Sequence, residues 1–105
     1  EADGSLGAVC DTAEFSQASG AAGDEARGGL DAGRQDSCHP HMTYFCDAGL
    51  FVPDLGGDVV HRFAVDGDGK LQAQGSARLA MGSGPRHCVA ASGAGTSAYV
   101  ISELT

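Results

Sequence analysis

The chain is built from short apolar runs, each closed after a few residues by glycine, aspartate or both. Such runs are too short for helices packed on a core and have the length of strands. Candidate strands are Met42 to Phe45, Leu50 to Leu55, Val59 to Val65, Leu71 to Gln74, Cys88 to Ala91 and Ala98 to Leu104. The third is the clearest: Val59, His61, Phe63 and Val65 alternate with Val60, Arg62 and Ala64, which fits a strand with two distinct faces. Asp66-Gly67-Asp68-Gly69-Lys70 is read as the turn between the third and fourth runs. It echoes a calcium loop only in part, because Lys stands at its fifth position and no Glu at its twelfth.

The runs also repeat. His41 and His87 each precede a short strand and stand 46 residues apart. Phe51-Val52-Pro53-Asp54-Leu55 corresponds to Val100-Ile101-Ser102-Glu103-Leu104 at a spacing of 49. Asp3-Gly4-Ser5-Leu6 corresponds to Asp68-Gly69-Lys70-Leu71 at 65, the excess falling in the intervening loop. A period in the high forties with four short strands per unit is the pattern of β-propeller blades. The expected fold is therefore all-β, in four-stranded antiparallel meanders. Residues 1–7 would end one blade, 8–37 form a long loop, 38–75 a complete blade and 76–105 the first half of the next. A ring needs at least about four blades, so the chain is expected to be an incomplete part of one. Its opening, Glu1-Ala2-Asp3-Gly4, has neither Met nor a signal-peptide pattern.

Composition narrows the function classes. Six Lys and Arg face fourteen Asp and Glu, a net charge of −8, so no basic surface for nucleic acid or anionic membrane can be assembled. No apolar run is long enough to cross a membrane. The segment from Ala8 to Ser37 is rich in Gly, Ala, Ser and Asp and is expected to be irregular and mobile, with Arg34 and Gln35 reaching toward the site beside His41.

Four cysteines, at 10, 38, 46 and 88, include no CxxC pair and match no zinc motif. Free thiols in a reducing cytoplasm are expected; two disulfides in a secreted domain are the alternative. Cys38-His39-Pro40-His41 is too short and too proline-constrained to chelate a metal, and none is expected. Gly82-Ser83-Gly84-Pro85 lacks the Gly-Lys-Ser/Thr of a phosphate loop.

Blade topology gathers the chemistry-bearing residues. Consecutive strands are antiparallel, so the start of the first strand and the end of the second share one rim. His41, Arg86 and His87 precede first strands, and Asp54 and Glu103 end second strands. All five should face one rim on two adjacent blades. By strand alternation His87 should turn away from Arg86 and pack within its blade.

The motifs Arg34-Gln35-Asp36-Ser37-Cys38-His39-Pro40-His41, Phe51-Val52-Pro53-Asp54-Leu55-Gly56-Gly57-Asp58, Gly82-Ser83-Gly84-Pro85-Arg86-His87 and Ala98-Tyr99-Val100-Ile101-Ser102-Glu103-Leu104 occur in that order. In this the chain resembles the lactonase-type seven-bladed β-propellers, which include 6-phosphogluconolactonases and carboxy-cis,cis-muconate cyclases. The resemblance implies a hydrolase acting on a small-molecule sugar lactone in carbohydrate metabolism, without cofactor. It implies His41, Arg86 and Glu103 as catalytic residues, and Arg34, His39, Asp54, Asp58 and His87 as substrate-binding candidates. Ser102 replaces the Asn of the family's Asn-Glu-Leu motif, and the stretch from Gly49 to Val52 is about two residues short, which should shorten the second strand.

That set suits lactone chemistry. Ring opening passes through an oxyanion, which a guanidinium stabilises; a carboxylate can activate water, and an imidazole can move the leaving-group proton. No GxSxG motif suggests an acyl-enzyme. The alternatives are lactone-forming cyclisation of a muconate, or a non-catalytic propeller module. With strand edges open, the isolated chain is expected to be nearly inactive and to self-associate.

Overall fold

A computed structural model describes residues 3–15, 31, 33–91 and 97–104. Among them are six strands: β1 (Tyr44–Cys46), β2 (Gly49–Asp54), β3 (Val59–Val65), β4 (Leu71–Arg78), β5 (Pro85–Ala90) and β6 (Ala98–Ser102). The first four form one antiparallel sheet in chain order, and the last two pair antiparallel in a second. No described residue is helical.

The turns follow from their residues. Asp47 and Ala48 join β1 to β2, and Gly49 takes a φ of 121° with the Phe63 carbonyl so close that a Cβ would lie 2.6 Å from its oxygen. In the β3–β4 turn the Asp66 carboxylate accepts the amides of Asp68 and Lys70, each at 2.9 Å. A side chain committed to its own turn is the behaviour of a hairpin aspartate.

Two strand lengths differ from expectation. β2 is not curtailed: all five residues from Leu50 to Asp54 pair with β3. β4 runs to Arg78 rather than ending at Gln74. Gly75 stands there at a φ of 123°, and the register slips between Arg62 and Phe63 so that β4 carries one extra residue. Glycine thus supplies a bulge within the strand instead of ending it.

The buried apolar residues are Val52, Leu55, Val59, Val60 and Cys88, and the two sheets meet where β2 and β1 approach β5. Phe51, Arg62, Cys88 and Ala98 line the space between the two sheets. On the other face, Phe15 from the N-terminal segment packs on His61 at 4.7 Å and Phe63 at 6.0 Å between ring centroids. Nearby, Leu71 donates its amide to Asp11 and Lys70 reaches the Cys10 carbonyl. The long loop is therefore tied down at Cys10, Asp11 and Phe15; residues 16–30 and 32 lie outside the described set. Tyr99 and Ile101 on β6 and Phe45 on β1 remain largely exposed.

Candidate active site

The repeat noticed in the sequence reappears as hydrogen bonding. Leu55, just after β2, donates its amide to the His39 carbonyl, and His41 donates to Pro53. Leu104, just after β6, donates to Ser83, and Glu103 to Gly84. In both sheets the segment entering the first strand is thereby clamped to the end of the second, at one rim.

Two groups of side chains meet there. Glu103 accepts from two arginines: Oε1 lies 2.6 Å from Nη1 of Arg34, and Oε2 lies 2.8 Å from Nη1 of Arg86. The Arg34 hydrogen bond above all, with both guanidinium charges, outweighs desolvation and holds the Glu103 carboxyl below its usual range. Arg34 and Arg86 remain about half exposed, at 49% and 45% of their side-chain surface. Each guanidinium has five N–H donors, so most stay free to meet a ligand from solvent.

The second group is His41 and His87, whose rings meet edge to face with centroids 5.3 Å apart. This corrects the expectation that His87 packs inside its blade. The β5–β6 register slips between Pro85 and His87, so Arg86 is an inserted residue. A bulge breaks alternation, and Arg86 and His87 are both exposed.

Other expected substrate contacts are turned inward. Asp54 is 1% exposed. Its Oδ1 accepts the amides of His39 at 2.7 Å and of Gly56 and Gly57 at 3.1 Å, while Oδ2 stands 3.7 Å from His61 Nε2. Burial works to raise its pKa, but His61, these amides and the Cys38 thiol win, and the net shift is downward. Cys38, desolvated and beside that carboxylate, is pushed up to about 11. Asp58 is 5% exposed and accepts the amides of Gly82 at 2.7 Å and Gly84 at 2.8 Å, together with the side chain of Gln35. With their carboxylates taken up by the protein interior, we read Asp54 and Asp58 as structural groups. His39 turns its ring to Asp36 at 2.7 Å and to Ser37, within its own loop.

Sequence reasoning missed the inward role of Gln35. It is 1% exposed and donates to the Leu55 carbonyl at 2.9 Å as well as to Asp58. The Gly-Ser-Gly run before Arg86 signals a buried acceptor, which is Asp58, but no sequence feature ties Gln35 to it.

Residues 3–105 match the family model described as lactonase, 7-bladed beta-propeller. The chain belongs to this family. It is 40% identical over 76 residues to the probable 6-phosphogluconolactonase of Arthroderma benhamiae, covering 69% of the chain and 19% of that protein. It is 39% identical over 67 residues to the 6-phosphogluconolactonase of Formosa agariphila, covering 58% of the chain and 19% of that protein. The chain thus spans about a fifth of the length of these curated relatives. Its fold superposes on a crystal structure of a Lactobacillus plantarum protein with a TM-score of 0.74 and 32% identity, over 99% of this chain and 27% of the other. A Bacteroides fragilis protein named as a candidate 6-phosphogluconolactonase gives 0.74 and 30%, over 96% and 28%. The two sheets of this lactonase-family chain are accordingly propeller sheets, and their shared rim is its candidate active site.

Proposed function

We propose that this rim is part of the active site of a lactonase that hydrolyses an anionic sugar lactone, of the 6-phosphogluconolactone class. The observation that carries the reading is the pair of half-exposed guanidiniums on Glu103, at the rim that also holds the exposed His41 and His87. Two arginines and one carboxylate leave a local positive charge in a chain of net charge −8. A phosphate would be drawn to that charge, and the oxyanion of lactone opening would be stabilised by it.

The proton steps fall to the histidines. A general base works best with a pKa near the working pH, and a carboxylate held low by two arginines is poorly matched. We therefore assign water activation and leaving-group protonation to His41 and His87. Arg86 binds the developing oxyanion or the substrate anion, Arg34 assists it, and Glu103 orients both guanidiniums.

The test compares lactones in the longest reading frame that carries this segment. Hydrolysis of 6-phosphogluconolactone with a lower KM than for unphosphorylated gluconolactone supports the proposal. Conversion of a carboxymuconate without lactone hydrolysis would replace it with the cyclase reading, and inertness toward both would remove the enzymatic one.

A further inference from the structure

Arg34 and Arg86 come from different segments, yet both backbones lead to one carboxylate. Arg34 is adjacent to Gln35, whose Nε2 donates to Asp58 Oδ1 at 2.8 Å and to the Leu55 carbonyl at 2.9 Å. Arg86 follows Gly82-Ser83-Gly84-Pro85, and in that connection the Gly82 amide donates to Asp58 Oδ2 at 2.7 Å and the Gly84 amide to Oδ1 at 2.8 Å. The Ser83 hydroxyl lies 3.5 Å from the same Oδ1. Asp58 itself stands at a φ of 52°, and its carbonyl accepts the Leu79 amide at 2.9 Å. Asp and Asn are among the side chains that adopt this left-handed conformation most readily.

We propose that Asp58, acting through Gln35 on one side and the Gly82–Gly84 backbone on the other, is the positioning residue that sets Arg34 and Arg86 against Glu103. A surface arginine held by one ion pair samples many rotamers, and its pairing with a carboxylate contributes little by itself. Fixing both Cα positions from a buried hub lowers the entropy lost when two guanidiniums converge on one anion. Asp58 touches no substrate in this scheme; it acts through the arginines. The inference rests on the lactonase reading only for its kinetic consequence, since the geometry stands without it.

The experiment labels arginine side chains with 15N in the longest reading frame and follows the Nε–H signals of Arg34 and Arg86, assigned by Arg34→Lys and Arg86→Lys. Kinetics on 6-phosphogluconolactone are measured in parallel. Gln35→Met keeps side-chain volume and removes the donor to Asp58. It should mobilise Arg34 on the nanosecond timescale, leave Arg86 ordered, and raise KM by on the order of tenfold with a smaller change in kcat. Asp58→Asn retains the left-handed conformation but turns one acceptor into a donor, and should mobilise both arginines. If Gln35→Met lowers the melting temperature while both arginine signals and KM stay as in wild type, Gln35 and Asp58 only hold the fold together, and the proposal is overturned. The Gln35→Met result stands even if Asp58→Asn does not fold. Arginine signals that respond as stated in a protein inert toward the lactone would uphold the positioning role and overturn the lactonase reading instead.

Discussion

Asp54 and Glu103 occupy the same place in two successive repeats and are used in opposite ways. Asp54 is the last residue of β2 and Glu103 directly follows β6, and each precedes a leucine whose amide is clamped to the opposite segment. The shorter Asp54 folds back onto the amides of its own turn, while the longer Glu103 reaches out to two arginines. One methylene and two different turns separate a structural carboxylate from one at the candidate active site.

Asp54→Ala should therefore act on stability. It leaves three amides without their acceptor in a buried turn, and a buried unsatisfied group costs about 1–3 kcal/mol. A fall in the urea midpoint with kcat little changed in the folded fraction is expected. A stable variant with abolished turnover would return Asp54 to the site.

Gly56→Ala should disturb the same turn by a different route. A Cβ there would lie 1.7 Å from the Ser37 carbonyl oxygen and 3.0 Å from the His39 ring, so the backbone entering β1 must move. Gly67→Ala, with nothing within 4 Å of its Cβ, is the control. Thermal melts should show a large loss for the first and almost none for the second; equal melts would mean that the loop before β1 yields freely.

The Glu103 cluster makes a specific pH prediction. Its folded pKa lies below the ordinary 4.5, so the stabilisation is fully present above that value and is lost as pH falls through the lower folded pKa. Melting temperatures of wild type and Glu103→Gln should differ by a constant amount above about pH 5 and converge in more acid solution. A gap that widens on acidification would reverse the sign of the coupling.

Self-association is expected of the 105-residue chain by itself. Tyr99 and Ile101 are 71% and 63% exposed on β6, whose outer edge has no strand beside it among the described residues. Open edges with apolar side chains recruit further strands. Sedimentation velocity should show concentration-dependent oligomers and the same sample little turnover; a monodisperse, fully active monomer would contradict both expectations.

Much of this was legible because strands announce themselves by alternation and turns by Gly and Asp. Val59–Val65 emerges with the limits read from the sequence, and the antiparallel argument correctly brought His41, Arg86 and Glu103 to the end of each sheet where strand pairs are clamped. What alternation could not show is the bulge at Arg86, because an inserted residue leaves no mark in a short run and reverses the assignment of His87. Nor could it show whether a rim carboxylate turns in or out. Asp54 and Asp58 turn inward because nearby backbone amides need an acceptor, and that demand appears only once the loops are placed.

The most direct measurement is the turnover of 6-phosphogluconolactone by Arg86→Ala and His87→Ala, each in the longest reading frame, with melting temperatures taken alongside. Both side chains are exposed, so both melting temperatures should stay near wild type. Arg86→Ala should lose about a hundredfold in kcat/KM, as when an oxyanion donor is removed. His87→Ala should lose on the order of a hundredfold or more, because its imidazole carries a proton step in this account. Wild-type turnover in both variants at unchanged stability would show that the reaction takes place elsewhere on the ring.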